Sequence, residues 1–318
     1  MPVRNIYSRL IGPIATGFFL VLAIYIGFIS PPVNFPKTSV VKIEAGGSAV
    51  KISDDLAEKG IIRSSKFFIF FLTAMGKSDS ILAGDYVLDG KENAITIVLR
   101  LTRGDFRLTP IRVTIPEGTP SFDIPKYFVS FYNFDASRFE KIAAPKEGYL
   151  FPDTYDFNPN STADEVVDKL TRTFAKKIEP LEKLIGLSGK TLDEIVIMAS
   201  IIEEEAVSSD DRRLISGILW KRLSLGMPLQ VDAPFAYIGD KNTYELTLED
   251  LRKDSPYNTY TRPGLTPGPI SNPGLDSITA ALEPKNSPHL YYLSDPKGTV
   301  YYASTFEQHK KNKEKYLR

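Results

Sequence analysis

The chain has 318 residues, enough for two compact domains, and its 39 basic and 39 acidic side chains cancel, so nothing in its charge points to nucleic acid. It contains no cysteine and only two histidines, His289 and His309. Disulfides, thiolate chemistry and cysteine-ligated or histidine-rich metal sites are therefore excluded, and a Ser-His-Asp triad has few candidates. No GxxxxGK[ST] or GxGxxG phosphate loop occurs, no cofactor is expected, and carboxylate chemistry is what remains.

Arg4 and Arg9 precede an uncharged run from Leu10 to Ser30. That is about the length that spans a bilayer, and the basic flank places the N-terminus in the cytoplasm and the remainder outside. The run is long for the core of a cleaved signal peptide and no A-x-A site follows it, so residues 1–30 are expected to be an uncleaved transmembrane anchor. Residues 31–37, beginning with Pro31-Pro32-Val33-Asn34-Phe35-Pro36, read as an extended linker.

Two stretches offset by 72 positions then share a pattern: Val41, Ile43, Gly46 and Ile52 recur as Val113, Ile115, Gly118 and Ile124. Each copy reads as a short strand, a glycine turn and a helix start. In the first copy a helix runs from Ser48 to Gly60 and a second from Ser65 to Gly76; its core, Phe67–Leu72, is too short to cross a membrane and reads as buried packing. Tyr86–Leu88 and Ile95–Leu101 supply a strand and a short helix. Residues 38–106 are thus expected to form a small β-α-α-β unit suited to binding or spacing, and residues 107–318 a second, mixed α+β domain.

In that second domain Glu147–Phe157 (EGYLFPDTYDF) is rich in aromatic and turn-forming residues, unlike a regular element. An amphipathic helix from Ser161 carries Val166, Leu170, Phe174, Ile178 and Leu181 on one stripe. Thr191 and Glu194 make a capping box for the next helix, which contains Met198–Ala206 (MASIIEEEA). At about 100° per residue, Ile195, Met198, Ile201 and Ile202 define a buried face and Glu205 falls within about 20° of Met198. Glu203 lies toward the edge of that face, and Glu204 points nearly away. A glutamate triplet at a helix end is commonly a solvated face. A carboxyl aimed into apolar surroundings, however, resists ionisation and can hold a proton near neutral pH, as a general acid must.

Asp210–Gly226 reads as a further helix, with Trp220 as a core residue. Pro228–Pro273 is a long polar, aromatic, proline- and glycine-rich loop, a length that is usually functional. A short helix over Asp276–Leu282, a hairpin pairing Leu290–Leu293 with Val300–Ala303, and a lysine-rich helix from Phe306 close the chain. A buried acid beside a loop of amides, hydroxyls and rings suits a polymeric sugar, whose faces are apolar and whose edges are polar. Glycosidases add a second carboxylate, and Asp232 is the candidate for it within the loop, with turn formation as its plain alternative.

The motifs EGYLFPDTY, MASIIEEEA, LWKRLSLGMPLQVD, YNTYTRPGLTPGPISNPG and the late YYL with FEQHKKN occur in one order over nearly the whole chain. On these the sequence resembles the endolytic murein transglycosylases of the YceG-like family. The resemblance implies a membrane anchor, a LysM-like subdomain over residues 38–106 and a catalytic domain over 107–318. It also implies cleavage of peptidoglycan glycan strands between MurNAc and GlcNAc, leaving 1,6-anhydro-MurNAc ends without water. The second acidic position of the family's E-x-E pair falls on Glu205, as general acid and then base. Gln230, Asp232, Tyr257, Asn258, Thr259, Tyr260 and Glu203 are the residues expected to line the cleft. Peptidoglycan synthases are the implied protein partners and the outer face of the bacterial inner membrane the implied location. Where relatives often read LQTDPT, this chain has Leu229-Gln230-Val231-Asp232-Ala233-Pro234, and Glu204 stands where they often carry lysine. Two other readings stand beside this one: a hydrolase using Glu205 with Asp232, and a non-catalytic peptidoglycan-binding scaffold.

Overall fold

The computed structural model describes residues 4–36, 39–88, 90–131, 134–237, 246–247, 249–295 and 297–317. The fold is mixed α+β and divides into two compact units, Met1–Pro110 with Asn158–Asn160 and Ile111–Phe157 with Ser161–Arg318. Of the long loop expected over Pro228–Pro273, residues 238–245 and 248 lie outside the described residues.

The first unit begins with α1 (Arg4–Ile24), which contains Pro13 and runs into a π-helical turn, Tyr25–Ile29. From Leu10 to Ile24 the α-helical rise is about 22 Å, short of a hydrocarbon core of about 30 Å. Among the described residues no helix is long and apolar enough to cross a membrane. The apolar side chains of Ile14, Phe18, Phe19, Leu20 and Val21 are nevertheless exposed.

The rest of this unit follows the expected order: β1 (Ser39–Ile43), α2 (Ala49–Glu58), α3 (Ser65–Ala74), β2 (Gly84–Leu88) and α4 (Ala94–Arg103). β1 and β2 pair antiparallel from Ser39↔Leu88 to Ile43↔Gly84. Alternation sets their faces: Val41 and Ile43 are buried while Val40 is exposed. Ser48, Ser64 and Asn93 cap the three helices through their side-chain oxygens. The Phe67–Leu72 run is only half core. Phe68 and Leu72 are fully buried, Phe70 is exposed, and Phe67 stacks on Phe28 at 4.9 Å.

In the second unit β3 (Ile111–Thr114) pairs antiparallel with β4 (Thr154–Phe157), from Ile111↔Phe157 to Thr114↔Thr154. The EGYLFPDTYDF segment, expected to be irregular, thus ends in a strand. Tyr155 and Phe157 point inward and Thr154 and Asp156 outward, so aromatic alternation overrides the turn-forming composition. The internal repeat is visible in the backbone, since Gly46 and Gly118 both have φ near +76°. The second copy continues into a 3₁₀ helix, Ser121–Phe128, because Pro125 inside it lacks the N–H that an α-helix needs.

Then come α5 (Ala136–Ala143), α6 (Ala163–Ile178), α7 (Glu182–Ser188), α8 (Leu192–Glu205), α9 (Ser209–Ser224), α10 (Leu275–Leu282), the hairpin β5 (Tyr291–Ser294) and β6 (Val300–Ala303), and α11 (Phe306–Tyr316). Helix α7 is absent from the sequence reading, which ends the amphipathic pattern at Leu181. Helix α6 spans two cores. Val166 and Leu170 join Ile124, Phe128, Phe139 and Phe157, whereas Phe174 and Ile178 join the cluster around α8.

Helix α8 is the centre of the larger core. Its Thr191–Glu194 capping box is formed, and Ile195, Met198, Ile201 and Ile202 are fully buried. Each such side chain contributes about 1.5–3 kcal/mol relative to exposure. Helices α9 and α10 pack against it. The loop before α10 crosses it where the Ile270 N–H donates to Ser200 Oγ at 3.0 Å. This crossing depends on Gly148, whose φ is +83°; a Cβ there would lie 2.5 Å from Pro269 Cγ and 2.7 Å from Val196 Cγ1. Gly148→Ala is expected to destabilise the protein by about 1–3 kcal/mol, read as a lower midpoint in denaturant unfolding.

Candidate active site

Helix α8 ends on three consecutive carboxylates that separate into three environments. Glu203 is turned into the protein: Arg212 Nη2 donates to its Oε1 at 2.6 Å and the Gly274 N–H to its Oε2 at 2.8 Å. Both oxygens are taken up in a junction of α8, α9 and the start of α10, completed by Arg212 Nη1 donating to Asp276 at 3.0 Å. Glu203 is therefore a tie between elements, not the cleft contact the sequence suggested. Glu204 points outward beside Gly118 and Ser271.

Glu205 is the residue that the geometry isolates. It keeps partial access to solvent, yet its carboxyl sits among protein groups. The Tyr292 hydroxyl donates to Oε2 at 3.0 Å. Burial pushes the carboxyl up to about 7, opposed by the Tyr292 hydrogen bond and the Asp232 backbone N–H and reinforced by the charges of Asp232 and Glu204. Tyr292, in turn, is held well above its usual value by burial and by Glu205. It is neutral at any working pH and can only donate to an ionised Glu205.

Facing this carboxyl is the turn Gln230–Asp232. Gln230 adopts φ +53°, a left-handed conformation that costs a non-glycine residue energy, and the turn is pinned on both sides. Its N–H donates to Thr259 O at 3.0 Å, and Arg222 Nη2 donates to its side-chain oxygen. Thr259 Oγ1 accepts from Val231 N–H at 3.1 Å and donates to Val231 O at 2.8 Å. The Tyr260 hydroxyl donates to Asp232 Oδ1 at 2.6 Å. Burial and the Asp232 carboxylate raise the Tyr260 phenol far above its ordinary value.

The structure therefore sorts the sequence candidates. Asp232 and Tyr260 join Glu205, and Gln230 lies exposed on the adjoining turn. Asn258 and Thr259 are buried scaffold. Asn258 Nδ2 donates to Leu251 O at 3.1 Å and Lys253 O at 2.7 Å, and its Oδ1 accepts from the Tyr260 N–H at 2.9 Å. Tyr257 instead borders a cavity of about 520 Å³ alongside the N-terminal half of α8, with Tyr149, Asp193, Ile197 and Pro269. Among the described residues no group of three or more carboxylate or histidine side chains is placed to hold a metal.

Three functional partners escaped the sequence reading. Tyr292 lies 87 positions from Glu205 and had only the YYL motif to mark it. Arg222, buried in α9, donates to Pro228 O at 3.0 Å and Leu290 O at 3.1 Å besides Gln230, which joins the turn to the hairpin. Arg212 had only its place in a run of charges.

Fold and site together define a mixed α+β protein in which a carboxyl raised to about 7 sits beside polar and aromatic side chains. The chain belongs to the YceG-like family, whose sequence model matches residues 41–315. The endolytic murein transglycosylase of Bacillus subtilis (strain 168) is 32% identical over an alignment covering 91% of this chain and 88% of that protein. That of Streptococcus pneumoniae serotype 2 (strain D39) is 36% identical over 172 residues, 52% of this chain and 31% of that one. A crystal structure of a YceG-like protein from Listeria monocytogenes matches with a TM-score of 0.57 and 30% identity, covering 86% of this chain and 98% of that one.

Arg212 and Glu203 are 13% and 5% exposed, so removing one leaves the other's charge buried and unmatched. Arg212→Ala is expected to cost about 3–5 kcal/mol, measured by chemical denaturation. Arg138→Ala, which removes an exposed, solvent-screened pair with Asp164 at 2.8 Å, is expected to leave the unfolding midpoint nearly unchanged.

Proposed function

We propose that this protein is an endolytic murein transglycosylase, cutting peptidoglycan glycan strands between MurNAc and GlcNAc with Glu205 as its proton carrier. The observation that carries the assignment of Glu205 is a single carboxyl raised to about 7 at the end of α8, in the family whose named members bear that activity.

The reaction follows from that placement. Protonated Glu205 gives its proton to the glycosidic oxygen as the bond from C1 of MurNAc breaks, and the GlcNAc hydroxyl leaves. Positive charge grows at C1, and the Asp232 carboxylate, accepting from Tyr260, is the anion near enough to Glu205 to favour it. Glu205, now a carboxylate, takes the proton of the sugar's own C6 hydroxyl while that oxygen bonds to C1. The 1,6-anhydro ring closes and Glu205 is again protonated. No water is consumed, because the internal hydroxyl is present at high effective concentration. Gln230 and Tyr260 line the glycan path.

We further read residues 1–30 as a membrane anchor, 38–106 as a LysM-like spacer or glycan-binding unit and 107–318 as the catalytic domain. The uncharged run Leu10–Ser30 behind Arg4 and Arg9 and the exposed apolar side chains of α1 support the anchor. On this reading the enzyme works on the outer face of the cytoplasmic membrane, where peptidoglycan synthases are its natural partners.

A second reading is favoured by one observation, the Asp232 carboxylate facing Glu205. In it Asp232 activates water and the enzyme is a hydrolase. Digestion of purified peptidoglycan followed by mass spectrometry of the ends separates the two. Anhydro-muramic ends are expected, and reducing ends would establish hydrolysis. Glu205→Gln is expected to lower turnover by about 10²–10⁴-fold, whereas Asp232→Asn slows the lyase and abolishes a hydrolase.

The pH dependence has a defined sign. The protonated form of Glu205 is the acid, and it is lost as pH rises through about 7. The rate of strand cleavage is expected to fall across that range, in contrast to an acid of ordinary pKa, which would be spent below pH 5.

A further inference from the structure

We propose that Tyr292 is a positioning residue for Glu205, fixing Oε2 as the acceptor oxygen so that the transferable proton is carried on Oε1. The inference rests on the proton-carrying role assigned to Glu205 above and adds to it which oxygen does the work.

In a neutral carboxyl the carbonyl oxygen is the better acceptor, and the hydroxyl oxygen is the donor. A neutral phenol can accept as well as donate, but here the hydroxyl donates to Oε2 at 3.0 Å, which favours the state in which Oε2 is the carbonyl and Oε1 bears hydrogen. Once the proton has left, the same contact becomes a charge-assisted bond to a carboxylate, which is stronger. Tyr292 thus favours release of the proton and partly offsets the burial that retains it.

The donor cannot adjust its position. Tyr292 sits opposite Tyr302 in the β5–β6 register, and the Tyr302 hydroxyl donates to Asp211 Oδ1 in the first turn of α9. Arg222, also on α9, donates to Leu290 O at 3.1 Å just before β5. The hairpin is thus tied to α9 at two points, Leu290 just before β5 and Tyr302 on β6 opposite Tyr292. The charged and titratable groups around Glu205 come from four elements: Glu204 on α8, Asp232 and Tyr260 on the loop, Tyr292 on the hairpin, and Arg222 on α9, which acts on both tyrosines. Of these, Tyr292 is the side chain whose hydrogen bond to the carboxyl favours its ionised form.

The test is a titration of the full chain in detergent with ¹³C-carboxyl glutamate, the Glu205 resonance being identified by its absence in Glu205→Gln. In Tyr292→Phe the midpoint is expected to move up by about one pH unit, the equivalent of one hydrogen bond to a charged group. The high-pH limb of strand cleavage should move with it. Tyr301→Phe, which removes a hydroxyl donating to Asp295 on the same hairpin at 3.2 Å, should leave the midpoint in place. A midpoint unmoved or lowered in Tyr292→Phe, or raised equally in Tyr301→Phe, overturns the proposal. The titration does not depend on the product, so reducing ends from the wild type would remove the lyase reading while leaving this result interpretable.

Discussion

A carboxyl withheld from water at the C-terminal end of an apolar helix is the constraint around which the second unit is arranged. The position is electrostatically adverse twice over, since burial disfavours the anion and the carbonyl end of the helix dipole repels it. Three glutamates in succession sharpen the problem, and the structure answers each differently. Glu203 is neutralised by Arg212 and a backbone N–H. Glu204 is turned outward. The Glu205 carboxyl is buried with no cationic partner among the described residues, its charge opposed and its proton kept to about pH 7. The ion pair at Glu203 thus has a consequence for its neighbour: with that carboxylate matched, the helix end can tolerate a second one poised between its two forms.

The surroundings of Glu205 are built with little regular structure. The described parts of the loop between Pro228 and Pro273 hold their shape through side chains that replace the missing ladder bonds. Asn258 gathers two carbonyls and an N–H, Thr259 clamps Val231 from both sides, and Arg222 ties the Gln230 turn to the hairpin. Each clamp buries a polar group with its partners supplied, which makes the arrangement rigid and intolerant of partial loss. A similar clasp holds the far side of α8. Glu147 accepts from the Ser121 N–H and hydroxyl and from Asn272 Nδ2, and Asn272 Oδ1 accepts from the Leu150 N–H. Motif residues in YNTY, EGYLF and SNPG therefore serve mainly as the frame that holds Asp232, Tyr260 and α8 in place.

Much of this was legible before any coordinates. Strong periodicity located α6, α8 and α9, a capping box set the start of α8, and the wheel singled out Glu205 because a helix repeats at a fixed angle per residue. The elements that were misread are those in which local preference is overruled by neighbours. Thr154–Phe157 becomes a strand because Ile111–Thr114 lies beside it. Glu203 looked like a cleft residue from its angle alone, and the angle carries no information about an arginine nine positions further on.

By itself the sequence determined that a long apolar helix ends in glutamates, that one of them faces inward, and that a polar aromatic loop follows. Those statements depend on periods of two and 3.6 residues and on composition, which are local. Only the tertiary structure decided what meets that glutamate. Tyr292 approaches from 87 positions away on a hairpin, Asp232 from a strained turn, and Arg222 joins the two. Acidity and hydrogen bonding are set by atoms within a few ångströms, and the order of residues along a chain does not specify which distant ones arrive there.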